Sequence, residues 1–438
     1  MARSYTRLNR RALLACVPAA AAGLSAAQSS IPGAKAPRPS TGNPGTQFYD
    51  EQESREVAEA LRSRTLFRWY GPSKPEKVGS FEKAFAEYMG AKYALAVTSG
   101  TAALHCALTA LGVGPGDEVI LPAWAWYACY NTILMTGALP VFAENDETLN
   151  IDPADVEKKI TPQTKAIMVL HLYGCAADMD KILAIARRHN VRVLEDTAQG
   201  LGAQYKGKRL GTLGDIGIYS FQISKTITSG EGGAVVANDP ALFERAARFH
   251  DLGLLRPPHE ALLGAKSMSG FVGVNYRMNE LTGAVMCAQL RKLDTIVAAF
   301  RRNARYVRDN IQGLPGLELR RLPDPDGEIG SAVFVFLKSK QARDAFLKAM
   351  RAEKASAGAP GASLYLPAVP HIEQKVAVHP AWPSFNTPRG KAIRYGAGCC
   401  PRTVELYDRC ASIPIGPKDT QENLQDLVAA IKKASRAV

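Results

Sequence analysis

The stretch of sequence that decides the fold runs from residue 193 to residue 233. It begins with Val193-Leu194-Glu195-Asp196-Thr197-Ala198-Gln199, a short apolar strand that ends in two acids. It closes with Ser220-Phe221-Gln222-Ile223-Ser224-Lys225 and the glycine-rich turn Gly230-Glu231-Gly232-Gly233. This pattern places Asp196 at the C-terminal end of a strand, where parallel sheets bind ligands. It places Lys225 between a predicted strand and a tight turn.

Asp196 and Lys225 together suggest the chemistry of one cofactor. A buried carboxylate needs a cationic partner, and a protonated pyridine nitrogen supplies one. A lysine packed against a glycine-rich turn is desolvated, which lowers its pKa and leaves a neutral amine that attacks an aldehyde. The two residues therefore suit pyridoxal phosphate (PLP). Taken singly, each has a plainer interpretation, as an aspartate that caps a turn and a lysine on the surface.

Two further segments contain candidate ligands. Thr98-Ser99-Gly100-Thr101 lies where a predicted strand turns into a helix, so free backbone N–H groups and the positive helix end favour a phosphate there. For this motif alone, ordinary helix capping is the simpler explanation. Trp124 and Trp126 follow a predicted strand over residues 118–121. We expect one of them in the core, whereas the other could stack on a planar cofactor.

Strands and helices alternate from about residue 93 to residue 221. This alternation predicts an α/β fold with a mainly parallel sheet that helices cover on both faces. After about residue 295 the pattern changes: a long helix over residues 277–306 leads into a smaller α+β region, with a strand near 332–337 and a final helix over 421–433. We therefore predict a large cofactor-binding domain over residues 48–295 and a small C-terminal domain over residues 296–438.

Residues 1–27 have the pattern of an export signal. Arg10-Arg11 precede an apolar run rich in small residues that ends near Ser25-Ala26-Ala27. Paired arginines favour the twin-arginine route, which exports folded proteins, so we expect a periplasmic or otherwise exported protein. An uncleaved signal that stays as an N-terminal anchor is the alternative. The apolar run is short for a transmembrane helix, so no stable membrane span is expected after processing. The proline-rich residues 28–47 predict a flexible linker.

Composition and charge indicate which kinds of partner, such as nucleic acid or a metal ion, the protein is expected to bind. The 438 residues are 46% hydrophobic and 22% charged, which is typical of a globular protein. The net charge of +13 includes no block rich in lysine and arginine beyond residue 40, so nucleic acid is not an expected partner. No cluster of histidine and cysteine has the spacing of metal ligands, and no metal is expected.

The chain has eight cysteines, of which Cys16 lies in the predicted signal. The odd number that remains does not suggest a disulfide framework. Cys106, Cys129 and Cys287 lie in apolar helical patterns and are expected to be small buried hydrophobes. Whether the adjacent pair Cys399-Cys400 is oxidised stays open.

The order of motifs along the chain resembles that of the sugar aminotransferases of the DegT/StrS type, which are PLP enzymes of fold type I. The resemblance extends from about Phe67 to Asp294. Its landmarks are Ser99-Gly100-Thr101-Ala102-Ala103-Leu104, Gly114-Pro115-Gly116-Asp117-Glu118-Val119, His171-Leu172-Tyr173-Gly174, Glu195-Asp196-Thr197-Ala198-Gln199, Ser224-Lys225, Gly230-Glu231-Gly232-Gly233 and Asn275-Tyr276-Arg277-Met278. It implies the three-layer fold type I architecture, with a small C-terminal α+β domain.

The resemblance also implies roles around the cofactor ring. Lys225 would form the Schiff base with the PLP aldehyde and shuttle a proton during amino transfer. Asp196 would hold the pyridine nitrogen protonated, and Gln199 would lie near the ring hydroxyl. Trp126 falls where the family places an aromatic ring that stacks on PLP.

At the phosphate, the resemblance implies contacts from Gly100, Thr101 and Ser220. Asn275 would reach the phosphate from the neighbouring subunit. The site would therefore be shared across a homodimer.

The function implied is a PLP-dependent aminotransferase that moves an amino group from glutamate or glutamine to a keto-sugar or keto-cyclitol. A PLP lyase of the same fold, such as a sugar dehydratase, has histidine in place of the lysine, so Lys225 argues against it. Cyclising or aromatising relatives keep the lysine and stay open as an alternative. A non-catalytic PLP-bound sensor is the other alternative, and it would show no exchange of amino groups with glutamate.

Overall fold

The computed structural model describes residues 38, 41–264, 268–361 and 364–438. The signal predicted for residues 1–27 and most of the predicted linker lie outside the described residues. At the C-terminal end of the predicted linker, which extended to residue 47, Gly45–Phe48 forms a 3₁₀ helix, and the linker boundary stays a prediction. Gly45 is buried there, and a Cβ at this position would lie 3.0 Å from Oε1 of Gln289.

Twelve strands form three sheets in the described part of the chain. In chain order they are β1 (Tyr93–Val97), β2 (Glu118–Pro122), β3 (Leu139–Ala143), β4 (Thr164–Leu170), β5 (Arg192–Asp196), β6 (Gln204–Tyr205), β7 (Lys208–Arg209), β8 (Ile216–Ser220), β9 (Gly233–Ala237), β10 (Glu318–Leu319), β11 (Ala332–Phe336) and β12 (Cys410–Pro414).

The α-helices of the described residues lie before, between and after these strands. They are Glu51–Ser63, Lys77–Met89, Gly100–Ala110, Tyr127–Met135, Pro153–Lys159, Met179–His189, Pro240–His250, Pro257–Leu263, Glu280–Ile311, Lys340–Ala352, Pro370–Glu373, Pro383–Asn386, Pro388–Ala392, Pro401–Arg409 and Gln421–Ala434. None of these helices combines the length and the apolar character that crossing a membrane requires.

The central sheet has seven strands in the order β1-β9-β8-β5-β4-β2-β3. All of them run parallel except β9, which pairs antiparallel with both β1 and β8. Helices form the crossovers between successive parallel strands from β1 to β5, whereas β5 reaches its parallel neighbour β8 through the β6-β7 hairpin. The predicted α/β fold with a mainly parallel sheet is therefore confirmed.

Two apolar cores lie on the two faces of the sheet. Along β5, Val193 packs in one core and the next residue, Leu194, packs in the other, because successive side chains of a strand point to opposite faces. The aromatic rings of Phe81, Phe85 and Phe221 lie in the first core. Apolar side chains thus cover both faces of the sheet, and the predicted three-layer arrangement is present.

A smaller antiparallel sheet, β10-β11-β12, forms the C-terminal region. The predicted strand near residues 332–337 corresponds to β11, whereas β12 was not predicted from the sequence. The helix Glu280–Ile311 connects the two sheets. The domain boundary predicted at residue 295 falls inside this continuous helix, and the division at that point stays a prediction.

Candidate active site

Four strand ends bring the predicted site residues to one edge of the central sheet. Because the strands concerned are parallel, their C-terminal ends lie together, at the edge that binds ligands in such sheets. The segments at this edge are Ser99–Thr101 after β1, Trp124–Trp126 after β2, Asp196 at the end of β5 and Ser220 at the end of β8.

Asp196 is a buried carboxylate with neutral hydrogen-bond donors. Its Oδ1 accepts a hydrogen bond from the N–H of Ala198 at 3.0 Å, and its Oδ2 accepts one from Sγ of Cys129 at 3.2 Å. Burial raises the pKa of Asp196 above its ordinary value. It makes no ion pair with any residue that the structure describes. A buried acid in this state is suited to a cationic group on a ligand.

Lys225 lies in the connection between β8 and β9. Its backbone N–H donates to the carbonyl of Gln222 at 2.9 Å, and the same loop is closed by a bond from Ile223 N–H to Gly230 O at 3.0 Å. Burial lowers the pKa of the Lys225 ammonium, although the nearby charge of Asp196 opposes this effect. Desolvation therefore favours the neutral amine, which is the nucleophilic form.

A cradle for an anion forms where Ser220 meets the helix Gly100–Ala110. The hydroxyl of Ser99 caps this helix by accepting from Ala102 N–H at 3.0 Å. The N–H groups of Gly100 and Thr101 lie in the first turn, where the helix contains no carbonyl that can accept from them. They therefore face outward from the helix end. A Cβ on Gly100 would lie 2.7 Å from Cβ of Ser220, so glycine is required for this close approach.

The side chain of Gln199 is oriented by the turn that follows β4. Its Oε1 accepts a hydrogen bond from the backbone N–H of Tyr173 at 2.9 Å. Tyr173 itself adopts a left-handed conformation, with φ of 54°. Because the amide oxygen is engaged, the amide NH₂ group is the part that is available to a ligand.

Trp124 and Trp126 have different environments, as the sequence suggested. Trp124 is 1% exposed and belongs to the core, whereas Trp126 is 58% exposed. The indole of Trp126 meets the ring of Tyr127 edge-on, with the centroids 5.8 Å apart. An exposed indole at the ligand-binding edge can stack on a flat group, and its role toward PLP stays a prediction.

Asn275 lies in an extended segment beside the end of β1. Thr98 N–H donates to the carbonyl of Tyr276 at 2.9 Å, which joins this segment to the edge of the site. Asn275 is exposed, and its Oδ1 is 3.4 Å from the N–H of Arg277. The predicted reach of Asn275 into a neighbouring subunit stays a prediction.

His171 and Glu195 form a buried pair that the sequence analysis did not single out. Nδ1 of His171 accepts from Ala177 N–H at 3.2 Å, so Nε2 carries the proton and donates to Oε2 of Glu195 at 2.9 Å. Glu195 also accepts from three backbone N–H groups, those of Gly211, Leu213 and Gly214. His171 lies in the family motif His171-Leu172-Tyr173-Gly174, and Glu195 lies directly before Asp196 in another family motif. These positions were the features of the sequence that could have identified the pair.

The cysteines have differing environments. Cys106 is buried as expected, whereas Cys287 is partly exposed. Cys129 is fully buried in the apolar core as expected, and its thiol also contacts Asp196. Cys399 and Cys400 are free thiols with their sulfur atoms 3.9 Å apart. Within the described ranges, no group of three or more His, Cys, Asp or Glu side chains is arranged to hold a metal ion.

These residues fit PLP. An acid without an ionic partner suits the pyridine nitrogen, a desolvated lysine suits the aldehyde, and the Gly100–Ser220 cradle suits the phosphate. Together with the seven-stranded sheet, they define a PLP enzyme of fold type I.

Comparison with known proteins gives the family. Residues 47–432 match the model of the DegT/DnrJ/EryC1/StrS aminotransferase family, and the chain belongs to this family. It is 47% identical over 220 residues to the GDP-perosamine synthase of Caulobacter vibrioides, covering 50% of this chain and 57% of that protein. It is 42% identical over 238 residues to the L-glutamine:2-deoxy-scyllo-inosose aminotransferase of Micromonospora echinospora, covering 53% and 57%.

The fold matches solved structures over most of the chain. The crystal structure of 3-amino-5-hydroxybenzoic acid (AHBA) synthase has a TM-score of 0.72 and 28% identity, covering 89% of this chain and 97% of that one. The sequence matches to GDP-perosamine synthases, by contrast, span only 57% to 65% of their length.

Replacement of Lys225 by methionine is expected to stabilise the PLP-free protein at neutral pH. Burial lowers the folded-state pKa of Lys225, so the unfolded chain binds more protons between that pKa and the unfolded value of 10.5. The free energy of unfolding of the wild type therefore rises with pH across this interval. The difference in stability between Lys225→Met and the wild type shrinks toward zero. Thermal unfolding as a function of pH measures the difference. The control Lys83→Met, on the exposed face of a helix, should change Tm little at any pH; a Lys225→Met advantage that is independent of pH would contradict this account.

Proposed function

We propose that this protein is a PLP-dependent aminotransferase that moves an amino group from glutamate or glutamine to a keto-sugar or keto-cyclitol. The observation that carries the proposal is the buried Asp196 carboxylate, which lacks an ionic partner among the described residues, near the desolvated Lys225. A relative whose name specifies L-glutamine and 2-deoxy-scyllo-inosose supports this donor and this class of acceptor. The similarity to GDP-perosamine synthase supports a sugar acceptor.

The residues divide the chemistry between them. When bound, PLP supplies an aldehyde for the amino group and a ring that accepts electrons. The Asp196 carboxylate holds the proton of the ring nitrogen. The Nζ atom of Lys225, as a neutral amine, would take a proton from the carbon atom that gives up the amino group. It would deliver this proton to the carbon atom that receives the group. The Gly100–Ser220 cradle orients the phosphate through hydrogen bonds.

The alternatives differ in what they require of Lys225. A dehydratase of this fold works without the lysine, so Lys225 favours amino transfer. The structural similarity to AHBA synthase keeps a cyclising or aromatising reaction as the second candidate, because that enzyme shares the fold over 97% of its chain. A sensor would bind PLP and exchange no amino group.

We also propose a homodimer in which the two active sites are shared. Asn275 is exposed beside the site, and the large apolar side chains Leu252, Leu254 and Val272 are exposed on the segments that pair around it. Asp251 and Asn275 form a β-bridge, so Leu252 lies on the same strip as Asn275. Exposed apolar side chains on paired segments of this kind are suited to a subunit contact.

Addition of glutamate or glutamine to the PLP-loaded protein is expected to bleach the visible absorption band of the bound cofactor. Lys225→Ala should reduce the rate of bleaching about 10³-fold or more, because general acid–base catalysis by the amine is lost. Borohydride reduction followed by mass spectrometry should attach PLP to the wild type and to the control Lys83→Ala, and not to Lys225→Ala. Wild-type protein that binds PLP without bleaching would support the sensor. Protein that binds no PLP would refute the proposed function.

Subunit mixing tests the shared site. Asn275→Ala alone is expected to weaken PLP binding about tenfold, as the loss of one hydrogen bond to a charged group does. In a heterodimer with Lys225→Ala, one of the two sites regains both Lys225 and Asn275. Random reassortment of the two variants should then restore about a quarter of the wild-type sites. If Asn275 served the site of its own chain, mixing would restore none.

We propose that the protein leaves the cytoplasm by the twin-arginine route. The support is the pair Arg10-Arg11 ahead of a short apolar run. The double substitution Arg10→Lys and Arg11→Lys is expected to block export and leave PLP-loaded protein in the cytoplasm, as measured by cell fractionation. Export that is unaffected by the double substitution would contradict the route. Full-length protein in the membrane fraction would indicate a retained signal.

A further inference from the structure

The first turn of the helix Tyr127–Met135 contacts the acid of the site. Sγ of Cys129 lies 3.2 Å from Oδ2 of Asp196, and both side chains are buried. Burial, reinforced by the charge of Asp196, raises the pKa of the Cys129 thiol well above its ordinary value. The thiol therefore keeps its proton and is the donor in this contact.

We propose that Cys129 is a positioning residue that orients the Asp196 carboxylate toward the ring nitrogen of PLP. This inference rests on the proposed function. Ala198 N–H restrains one carboxylate oxygen and Cys129 restrains the other, so the plane of the carboxylate is fixed on both sides. Each oxygen keeps a second lone pair, and one of these is free to accept from the ring N–H.

A thiol serves this purpose better than a stronger donor. Hydrogen bonds to a carboxylate stabilise its charged form and lower its pKa, and a hydroxyl does so more strongly than a thiol. Cys129 thus orients Asp196 while taking little of its basicity away from the ring nitrogen. The other charged or titratable groups that act on Asp196 are Lys225, after β8, and His171, after β4.

The same helix also carries the exposed indole. Trp126 is the residue that precedes the first turn of the helix, and its carbonyl accepts from the N–H of Cys129 at 3.0 Å. One turn would therefore hold both the indole that is predicted to stack on the ring and the thiol that restrains the acid at the ring nitrogen. Movement of this turn would change both contacts together.

Three variants test the proposal by the affinity for PLP. Cys129→Val keeps the buried volume and removes the donor, whereas Cys129→Ser restores a donor. Cys129→Val is expected to raise the Kd of PLP about tenfold, and Cys129→Ser to recover most of the affinity. The matched control is Cys410→Val, which removes a buried thiol from β12 and should leave the Kd unchanged.

The pH titration of bound PLP gives a second readout, which a merely structural role would not move. A carboxylate that loses a donor takes up a proton more readily, so the acid limb of the absorbance titration should move to higher pH in Cys129→Val. In Cys129→Ser it should return to the wild-type position or move to a lower pH, because the hydroxyl is the stronger donor.

Infrared spectroscopy of the PLP-free protein tests the contact itself. The S–H stretch that disappears in Cys129→Val should lie at the low frequency of a hydrogen-bonded thiol in the wild type. In Asp196→Asn it should move toward the frequency of an unbonded thiol. An S–H band that is indifferent to Asp196→Asn, or a Cys129→Val variant with wild-type Kd and titration, would overturn the proposal. Wild-type protein without affinity for PLP would overturn the proposed function, and would appear as a loss common to every variant.

Discussion

The side chain of Glu195 is fully buried and accepts four hydrogen bonds, from His171 and from the N–H groups of Gly211, Leu213 and Gly214. A buried carboxylate without such partners would cost several kcal/mol, so the loop that leads into β8 is held where it can supply them. Because side chains alternate along a strand, Glu195 and Asp196 point to opposite faces of the sheet. One acid fixes the framework, and its neighbour is left for the ligand.

The antiparallel strand β9 completes the framework by closing the sheet between β1 and β8. Its first residue, Gly233, passes so close to the start of the cradle that a Cβ would lie 2.4 Å from the carbonyl oxygen of Ser99. The glycine-rich run after Lys225 therefore has two functions: it turns the chain back into the sheet and lets β9 pack beside the anion cradle. Any larger side chain at residue 233 would collide with the backbone of Ser99 and Gly100 at the start of the cradle.

Regular periodicity made the parallel strands of the central sheet predictable, since strands and helices between residues 93 and 221 repeat with clear apolar patterns, whereas the antiparallel strand β9 was not predicted. The segment from residue 364 to residue 395 has no such pattern, and its contribution depends on contacts with distant residues. Tyr365 pairs with Trp124, and Trp382 Nε1 donates to Leu134 O at 2.6 Å, so this segment supports the helix Tyr127–Met135 from outside. The role of Cys129 was equally hidden, because a thiol in an apolar helix looks like core until the fold brings Asp196 to it.

Without its ligand, the site buries two ionisable groups at a cost in folding free energy. Asp196 has a raised pKa and Lys225 a lowered one because burial penalises the charged form of each, and a cationic ring with an aldehyde relieves both penalties. A ligand that binds only the folded chain stabilises it by RT ln(1 + [L]/Kd), so loading with PLP and folding reinforce each other. For the proposed export, this coupling would favour loading in the cytoplasm before the folded, loaded protein is transported. A route that required an unfolded chain would release the cofactor and restore both burial penalties.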